Sequence, residues 1–168
     1  MSKALRRVGM LIFVGMVLMS ATQAKADGPF QFNSLNPCRV LDTRCANDAP
    51  TCGALTNAPK PNPGPYNYQL QGKCGVPQGA KAATVNVTVV SPSHAGNLSV
   101  YPSNLTSQAG AAVSTINFAA GEPALANGAI VPLAPFGSGS DLAIYLNMAV
   151  VAPGGKVHFI VDVTGYFQ

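Results

Sequence analysis

Hydrophobic and polar residues alternate with a period of two through much of the chain. Between Ala83 and Val89 the apolar residues share one face of an extended chain, and Thr84, Asn86 and Thr88 share the other. Successive side chains of a strand point to opposite faces, so this pattern predicts a strand with one buried face. The same alternation, with lapses, returns in five further runs, at 98–101, 113–118, 130–133, 142–146 and 157–167.

Turn-forming residues rich in Gly, Pro and Ser separate these runs, at 92–96, 102–110, 121–128, 135–140 and 153–155. No stretch after residue 26 keeps the apolar stripe of an amphipathic helix. Further short strands at 30–32, 39–42 and 66–70 bring the total to eight or nine. Short strands with Gly and Pro turns predict an all-β fold, a single antiparallel β-sandwich or jelly-roll-like domain.

The first 26 residues have the layout of a secretory signal peptide. Basic residues precede an apolar run, Val8–Met19, and small residues follow it. This run has 12 residues, whereas a membrane-spanning helix needs roughly 20. Cleavage after Ala26 fits best, and cleavage after Ala24 is the alternative. We therefore expect a signal peptide at 1–26, an all-β domain at 27–168 and a secreted, periplasmic or cell-envelope location, without stable membrane insertion of the mature chain.

The charge of the whole chain misrepresents that of the predicted mature domain. The chain has 10 basic and 6 acidic residues and a net charge of +4. Four of the basic residues lie in the predicted signal peptide, so the mature domain is neutral. A neutral domain lacks the basic surface that nucleic acid requires, and we expect no nucleic-acid partner.

The four cysteines, Cys38, Cys45, Cys52 and Cys74, all precede the alternating strands. An even number of cysteines in an exported chain predicts disulfides. If residues 38–44 are extended, Cys38 and Cys45 lie about 23 Å apart, too far for a bridge. A turn-rich segment separates Cys45 from Cys52. We therefore predict the pairs Cys45–Cys52 and Cys38–Cys74. A zinc site is not expected, since no C-x-x-C pair is present and both histidines are distant.

Residues 45–65 are expected to form an irregular loop that contains one disulfide and many prolines. Prolines alternate with other residues near its end, in Asn57–Pro65. Because proline lacks an N–H, this segment predicts an extended surface loop without ladder pairing.

Groups able to carry catalysis are few. The domain has two histidines, His94 and His158, and neither has a visible activating partner. No nucleophile elbow, metalloprotease motif, phosphate loop or calcium loop is present. A pair of carboxylates that hydrolyses glycosides remains an alternative, although no such pair is evident in the sequence. We predict no catalytic residue, no cofactor and no metal ligand.

Two groups of polar residues are candidates for a site. Asp162 interrupts an apolar strand, and we expect it to form a structural ion pair with Arg44; a polar ligand site is the alternative. Asparagines and tyrosines could form a carbohydrate-binding face, or could satisfy backbone groups at turns. The candidate ligand face comprises Asn86, Asn117, Asn127 and Tyr101, with help from Tyr66, Tyr68 and Tyr145.

Seven short motifs occur in order along the mature chain: PCRVLDTR at 37–44, CGVP at 74–77, AATVNVT at 82–88, GNLSVYP at 96–102, STINF at 114–118, ANGAIVPL at 126–133 and VDVTGYF at 161–167. Together they resemble an all-β module of secreted bacterial proteins that begins with P-x-R-x-x-D-T-R and ends with D-V-x-G-Y-F. The resemblance implies an extracellular module without established activity, found beside hydrolase domains or in tandem. The segment with Cys45 and Cys52 departs from that pattern.

These observations favour a secreted, non-catalytic module that binds a surface glycan or a protein. The alternative is a structural protein that self-associates into homo-oligomers, because low charge and long apolar strands favour pairing at exposed sheet edges. A hydrolase built from scattered acids is the least favoured class.

Overall fold

The computed structural model describes residues 28–44, 60–61, 63–106, 112–149 and 154–168. The predicted signal peptide and the predicted Cys45–Cys52 bridge lie outside these residues. The strands are β1 (Phe32–Asp42), β2 (Lys60–Pro61), β3 (Tyr66–Tyr68), β4 (Ala82–Val90), β5 (Gly96–Pro102), β6 (Ile116–Phe118), β7 (Leu125–Pro132), β8 (Leu142–Met148) and β9 (Lys156–Phe167).

The strands form two antiparallel sheets. The five-stranded sheet has the order β1-β9-β4-β7, with β2 also paired to β9, and the four-stranded sheet has the order β3-β8-β5-β6. The predicted all-β sandwich is thereby confirmed. Within the described ranges, no helix is long and apolar enough to cross a membrane.

The core lies between the two sheets and is built from the alternating strands. On β4, Val85, Val87 and Val89 are buried, as the sequence pattern predicts. Phe159 of β9 is fully buried, and the rings of Tyr66 and Tyr68 on β3 pack against it, with centroids 6.3 and 6.2 Å away. Strands from both sheets therefore bury their apolar faces against each other, which is the main stabilising contribution to such a fold.

The first and last motifs of the mature chain lie side by side. β1 pairs with β9 along most of its length, and Arg39 stands opposite Asp162. The ladder shifts register between Ser34 and Cys38 and again between Arg39 and Leu41. Such bulges redirect side chains. The two shifts lie on either side of Cys38 and Arg39, which belong to the candidate site.

Several predicted strands have different bounds in the structure. The two short strands predicted at 30–32 and 39–42 overlap a single strand, β1, which begins only at Phe32. The strand predicted at 66–70 ends at Tyr68. β6 is shorter than predicted because residues 113–115 bond to β5 outside the ladder: Ser99 Oγ donates to the carbonyl of Val113, and Thr115 Oγ1 accepts the N–H of Val100. β7 begins at Leu125, inside a predicted turn.

The prediction that the proline-rich loop forms no ladder pairing is wrong at one point. Lys60 and Pro61 pair with Val157 and Lys156 of β9. Proline lacks only the donor, and a strand of two residues at a sheet edge tolerates that loss.

The predicted Cys38–Cys74 disulfide is present. It joins β1 to the turn after β3, with Cα atoms 5.7 Å apart and a sequence separation of 36. A disulfide of this kind fits an oxidising compartment.

Candidate functional site

The outer face of the five-stranded sheet, opposite the core, carries a continuous row of polar and aromatic side chains. Strand pairing places these residues on neighbouring strands β1, β9 and β4, from an aromatic end through two threonines to a charged end. We call this surface the outer strip. Its residues are Phe32, Phe167, Thr84, Thr164, Asn86, Arg39 and Asp162.

Arg39 and Asp162 form the ion pair of the charged end. Arg39 Nε donates to Asp162 Oδ1 at 2.9 Å, and Nη2 donates to Oδ2 at 3.2 Å. The predicted pairing of Arg44 with Asp162 is therefore wrong. Arg39 lies directly opposite Asp162 in the ladder, whereas Arg44 lies beyond the end of β1 and binds Asp42 instead.

Asp42 organises the chain where β1 ends. Its buried carboxylate accepts the backbone N–H of Arg44 at 3.0 Å, the Arg44 guanidinium at 3.0 and 2.8 Å, and Arg39 Nη1 at 3.3 Å. The next residue, Thr43, accepts the N–H of Phe159 on its hydroxyl at 2.9 Å. The Asp-Thr-Arg sequence thus closes the turn and couples it to the ion pair of the outer strip.

A double-mutant cycle between Arg39 and Asp162 should give a coupling energy of about 1 kcal/mol, at the upper end for a partly exposed pair with two hydrogen bonds. The Arg39 and Asp162 side chains are 41% and 23% exposed, so added salt should reduce the coupling. Urea unfolding of the single and double alanine variants measures it. The matched cycle between Arg44 and Asp162 should give a much smaller coupling, because these two side chains share no hydrogen bond and interact only through their charges. Equal values in the two cycles would contradict the assignment.

The pKa of Asp42 lies below its ordinary value, mainly because the Arg44 side chain hydrogen-bonds the ionised carboxylate, while burial opposes the shift. A folded-state pKa below the unfolded one stabilises the fold above about pH 4, and this contribution disappears as the pH falls through the folded pKa. We expect Asp42→Asn to be less stable than the unaltered chain at pH 7, and the difference to shrink below about pH 4. Urea unfolding from pH 7 to 2 tests this, and a difference that does not vary with pH would refute it.

A groove of about 430 Å³ opens at the charged end of the outer strip. Asn86 is half-buried in its wall, and among the described residues its side-chain amide makes one long contact, from Nδ2 to Thr88 Oγ1 at 3.5 Å. Most of the hydrogen-bonding capacity of this amide is therefore available to a ligand. The groove is lined by Pro37, Cys38, Arg39, Asn86, Asp162 and Thr164.

The aromatic end of the outer strip consists of Phe32 and Phe167. Their ring centroids lie 5.3 Å apart, and Phe32 is 54% exposed. A Cβ at Gly165 would lie 2.7 Å from Cζ of Phe32, so glycine is required there for the ring to lie against the strand. This pair was not predicted from the sequence. The available signal was an aromatic residue two positions from a small one at each end of the mature chain, Phe32 with Ser34 and Phe167 with Gly165.

The predicted ligand face of asparagines and tyrosines is not one surface. Asn86 belongs to the outer strip, Asn117 is exposed on β6 of the other sheet, and Asn127 donates to the carbonyl of Thr115 at 2.6 Å between the two sheet edges. Tyr101 is only 4% exposed, and burial raises the pKa of its hydroxyl, so its place in a ligand face is wrong.

The other tyrosines also fail to extend that face. Tyr66 and Tyr68 point into the core toward Phe159. Tyr145 is half-buried on β8 of the four-stranded sheet, away from the outer strip.

The two histidines contact hydroxyls and backbone. His158 Nδ1 lies 3.1 Å from Thr43 Oγ1, and His94 Nδ1 lies 3.0 Å from Ser93 Oγ. Ser93 Oγ also accepts the N–H of Lys156. In the part of the chain that the structure describes, no three His, Cys, Asp or Glu side chains cluster as metal ligands would.

The outer strip combines hydrogen-bonding groups in fixed positions with an exposed aromatic pair, an arrangement suited to binding a polar ligand with apolar faces. The chain matches no protein-family model, no curated protein and no solved structure.

Proposed function

We propose that this protein is a secreted, non-catalytic module that binds a neutral surface glycan along the outer strip. The observation that carries the proposal is the continuity of the strip, which places an exposed aromatic pair and a polar groove on one sheet face. Sugars present apolar C–H faces and directional hydroxyls, and both kinds of surface have a counterpart here.

The charged end of the outer strip offers both hydrogen-bond donors and hydrogen-bond acceptors to a ligand. Both oxygens of Asp162 are held by Arg39, and each keeps a lone pair for a sugar hydroxyl. Asn86 offers a donor and an acceptor beside them. Because the ion pair is made before any ligand arrives, little side-chain entropy is lost on binding.

The charge and length of the strip narrow the ligand class. Arg39 and Arg44 are balanced by Asp42 and Asp162, which favours a neutral ligand over an acidic or basic one. The strip runs from the Phe167 position, opposite Ala82, to Asn86, about 13 Å along β4 at about 3.3 Å per residue. That span suits a short oligosaccharide better than a monosaccharide.

Export is part of the proposal. The apolar run with basic residues before it and small residues after it supports a signal peptide, and the Cys38–Cys74 disulfide supports an oxidising destination. The resemblance to secreted bacterial modules points the same way.

An array of neutral and charged glycans, probed with the purified oxidised protein, tests the proposal. We expect saturable binding to neutral oligosaccharides, which Asn86→Ala and Phe32→Ala each weaken about tenfold. Asn117→Ala is the matched control, because Asn117 is exposed on the other sheet. Absence of binding to every glycan, or equal losses in Asn86→Ala and Asn117→Ala, would overturn the proposal.

Self-association is the second candidate function, and exposed apolar side chains favour it. Phe30, Phe32 and Ile130 are 39%, 54% and 64% exposed, and strand pairing places Ile130 on the same sheet face as Phe32. Sedimentation of the sample used for the array separates the two functions. A dimer that Ile130→Ser dissociates would support self-association, and a monomer at all concentrations would exclude it.

A further inference from the structure

A second cavity lies on the other side of β1 and β9, between the two sheets and beneath the turn that follows β3. Its volume is about 140 Å³. Its apolar wall combines side chains from both sheets and from the turn, and each is buried. These residues are Val40, Leu41, Leu70, Leu142 and Val161, and the ring of Tyr68 completes the wall.

The polar lining residues, Asn67, Gln69 and Lys73, are more exposed than this wall. Gln69 Nε2 already donates to Asp141 at 2.7 Å. Lys73 is half-buried and forms no salt bridge with any described residue. Lys73 therefore provides a positive charge beside an apolar chamber, without a counter-charge among the residues that the structure describes.

The turn above the cavity is held in place from several sides. Cys74, next to Lys73, is bonded to Cys38. The N–H groups of Leu70 and Gln71 donate to Asp141, which is itself outside the cavity lining. The N–H of Lys73 donates to the carbonyl of Leu70 at 3.0 Å. The wall that carries the positive charge is thus preorganised, which lowers the cost of binding.

We infer that this cavity binds a small apolar carboxylate, with its hydrocarbon body in the chamber and its carboxylate on Lys73 Nζ. The volume matches the ligand class, since an apolar protein cavity of about 150 Å³ accommodates benzene. A carboxylate on the lysine ammonium gains a charge-assisted hydrogen bond. The site does not depend on the outer strip, which lies on the opposite face of the same sheet.

Isothermal titration of the oxidised protein with benzoate, benzamide and benzamidine tests this inference, because the three have nearly the same shape and differ in charge. We expect one benzoate to bind per chain, benzamide to bind about tenfold more weakly, and benzamidine more weakly still. Lys73→Met should weaken benzoate about tenfold and leave benzamide unchanged. Lys81→Met, an exposed lysine outside the cavity, is the control and should change neither.

Leu142→Phe, which fills the chamber, should abolish binding of both benzoate and benzamide. Lys73→Met alters only a charge at the wall and keeps the test decisive even if the filled variant does not fold. Equal affinity for benzoate and benzamide, an unchanged affinity in Lys73→Met, or no saturable benzoate binding would each overturn the inference.

Discussion

Replacing Asp141 with alanine should lower the free energy of unfolding by about 4 kcal/mol. Asp141 is fully buried immediately before β8, and its carboxylate accepts the N–H groups of Leu70 and Gln71, each at 2.7 Å. Both donors are buried, and leaving a buried donor unpaired costs about 1–3 kcal/mol. Alanine removes both acceptors at once and also removes the closer of the two acceptors of the Gln69 side-chain amide. Urea unfolding at pH 7 measures the loss.

Two variants make the Asp141 measurement specific. Asp141→Asn keeps one acceptor oxygen in the same volume, so we expect it to lose about half as much stability. Glu122→Ala removes a carboxylate that makes no side-chain hydrogen bond to another described residue, and it should change stability by less than about 0.5 kcal/mol. Similar losses for Glu122→Ala and Asp141→Ala would show that the carboxylate of Asp141 does not hold the turn.

Sequence reasoning could not have singled out Asp141. It follows a Gly- and Ser-rich turn, where an aspartate is ordinary. Its partners lie about 70 residues earlier, in a segment without periodicity. Local pattern predicts which strands exist, because alternation reflects burial along one strand. It carries no information about which turn a side chain reaches across the fold.

The ion pair of Asp162 shows that local sequence pattern also fails to identify which of two nearby residues is the partner. The interruption of an apolar strand correctly marked Asp162 as a residue that needs a cation. Arg39 and Arg44 belong to the same short motif, at 37–44. Only the register of β1 against β9 shows which of the two stands opposite Asp162. The register includes two shifts within β1, and a shift of one residue moves a side chain to the opposite face.

Burial of Tyr101 shows why alternation alone does not identify an exposed face. Strand pairing places Tyr101 opposite Ala143, on the face of the four-stranded sheet away from the core, yet it is only 4% exposed. On the same face, Ser99 is buried and bonds to Val113 of the chain that precedes β6. The outer strip of the five-stranded sheet keeps its exposure, and for this reason the candidate site lies there.

Removing the Cys38–Cys74 disulfide should cost about 4 kcal/mol, because the bridge closes a loop of 36 residues in the unfolded chain. The double variant Cys38→Ala/Cys74→Ala, compared with the oxidised protein by urea unfolding, measures this loss. Both proposed sites should weaken as well, since Cys38 lines the groove and Cys74 adjoins Lys73 of the cavity. Glycan and benzoate binding are therefore measured on the same variant, under conditions in which it remains folded.

The variant Cys45→Ala/Cys52→Ala is the matched control, because it also removes two cysteines. If these residues are paired as predicted, their short loop contributes about 2.5 kcal/mol, less than the long one. The described residues that line the groove and the cavity all come from other parts of the chain, so we expect glycan and benzoate binding to persist in this variant. Equal stability losses in the two double variants would contradict the dependence on loop length. Loss of ligand binding in the control alone would show that the Cys38–Cys74 bridge does not position the groove or the cavity wall.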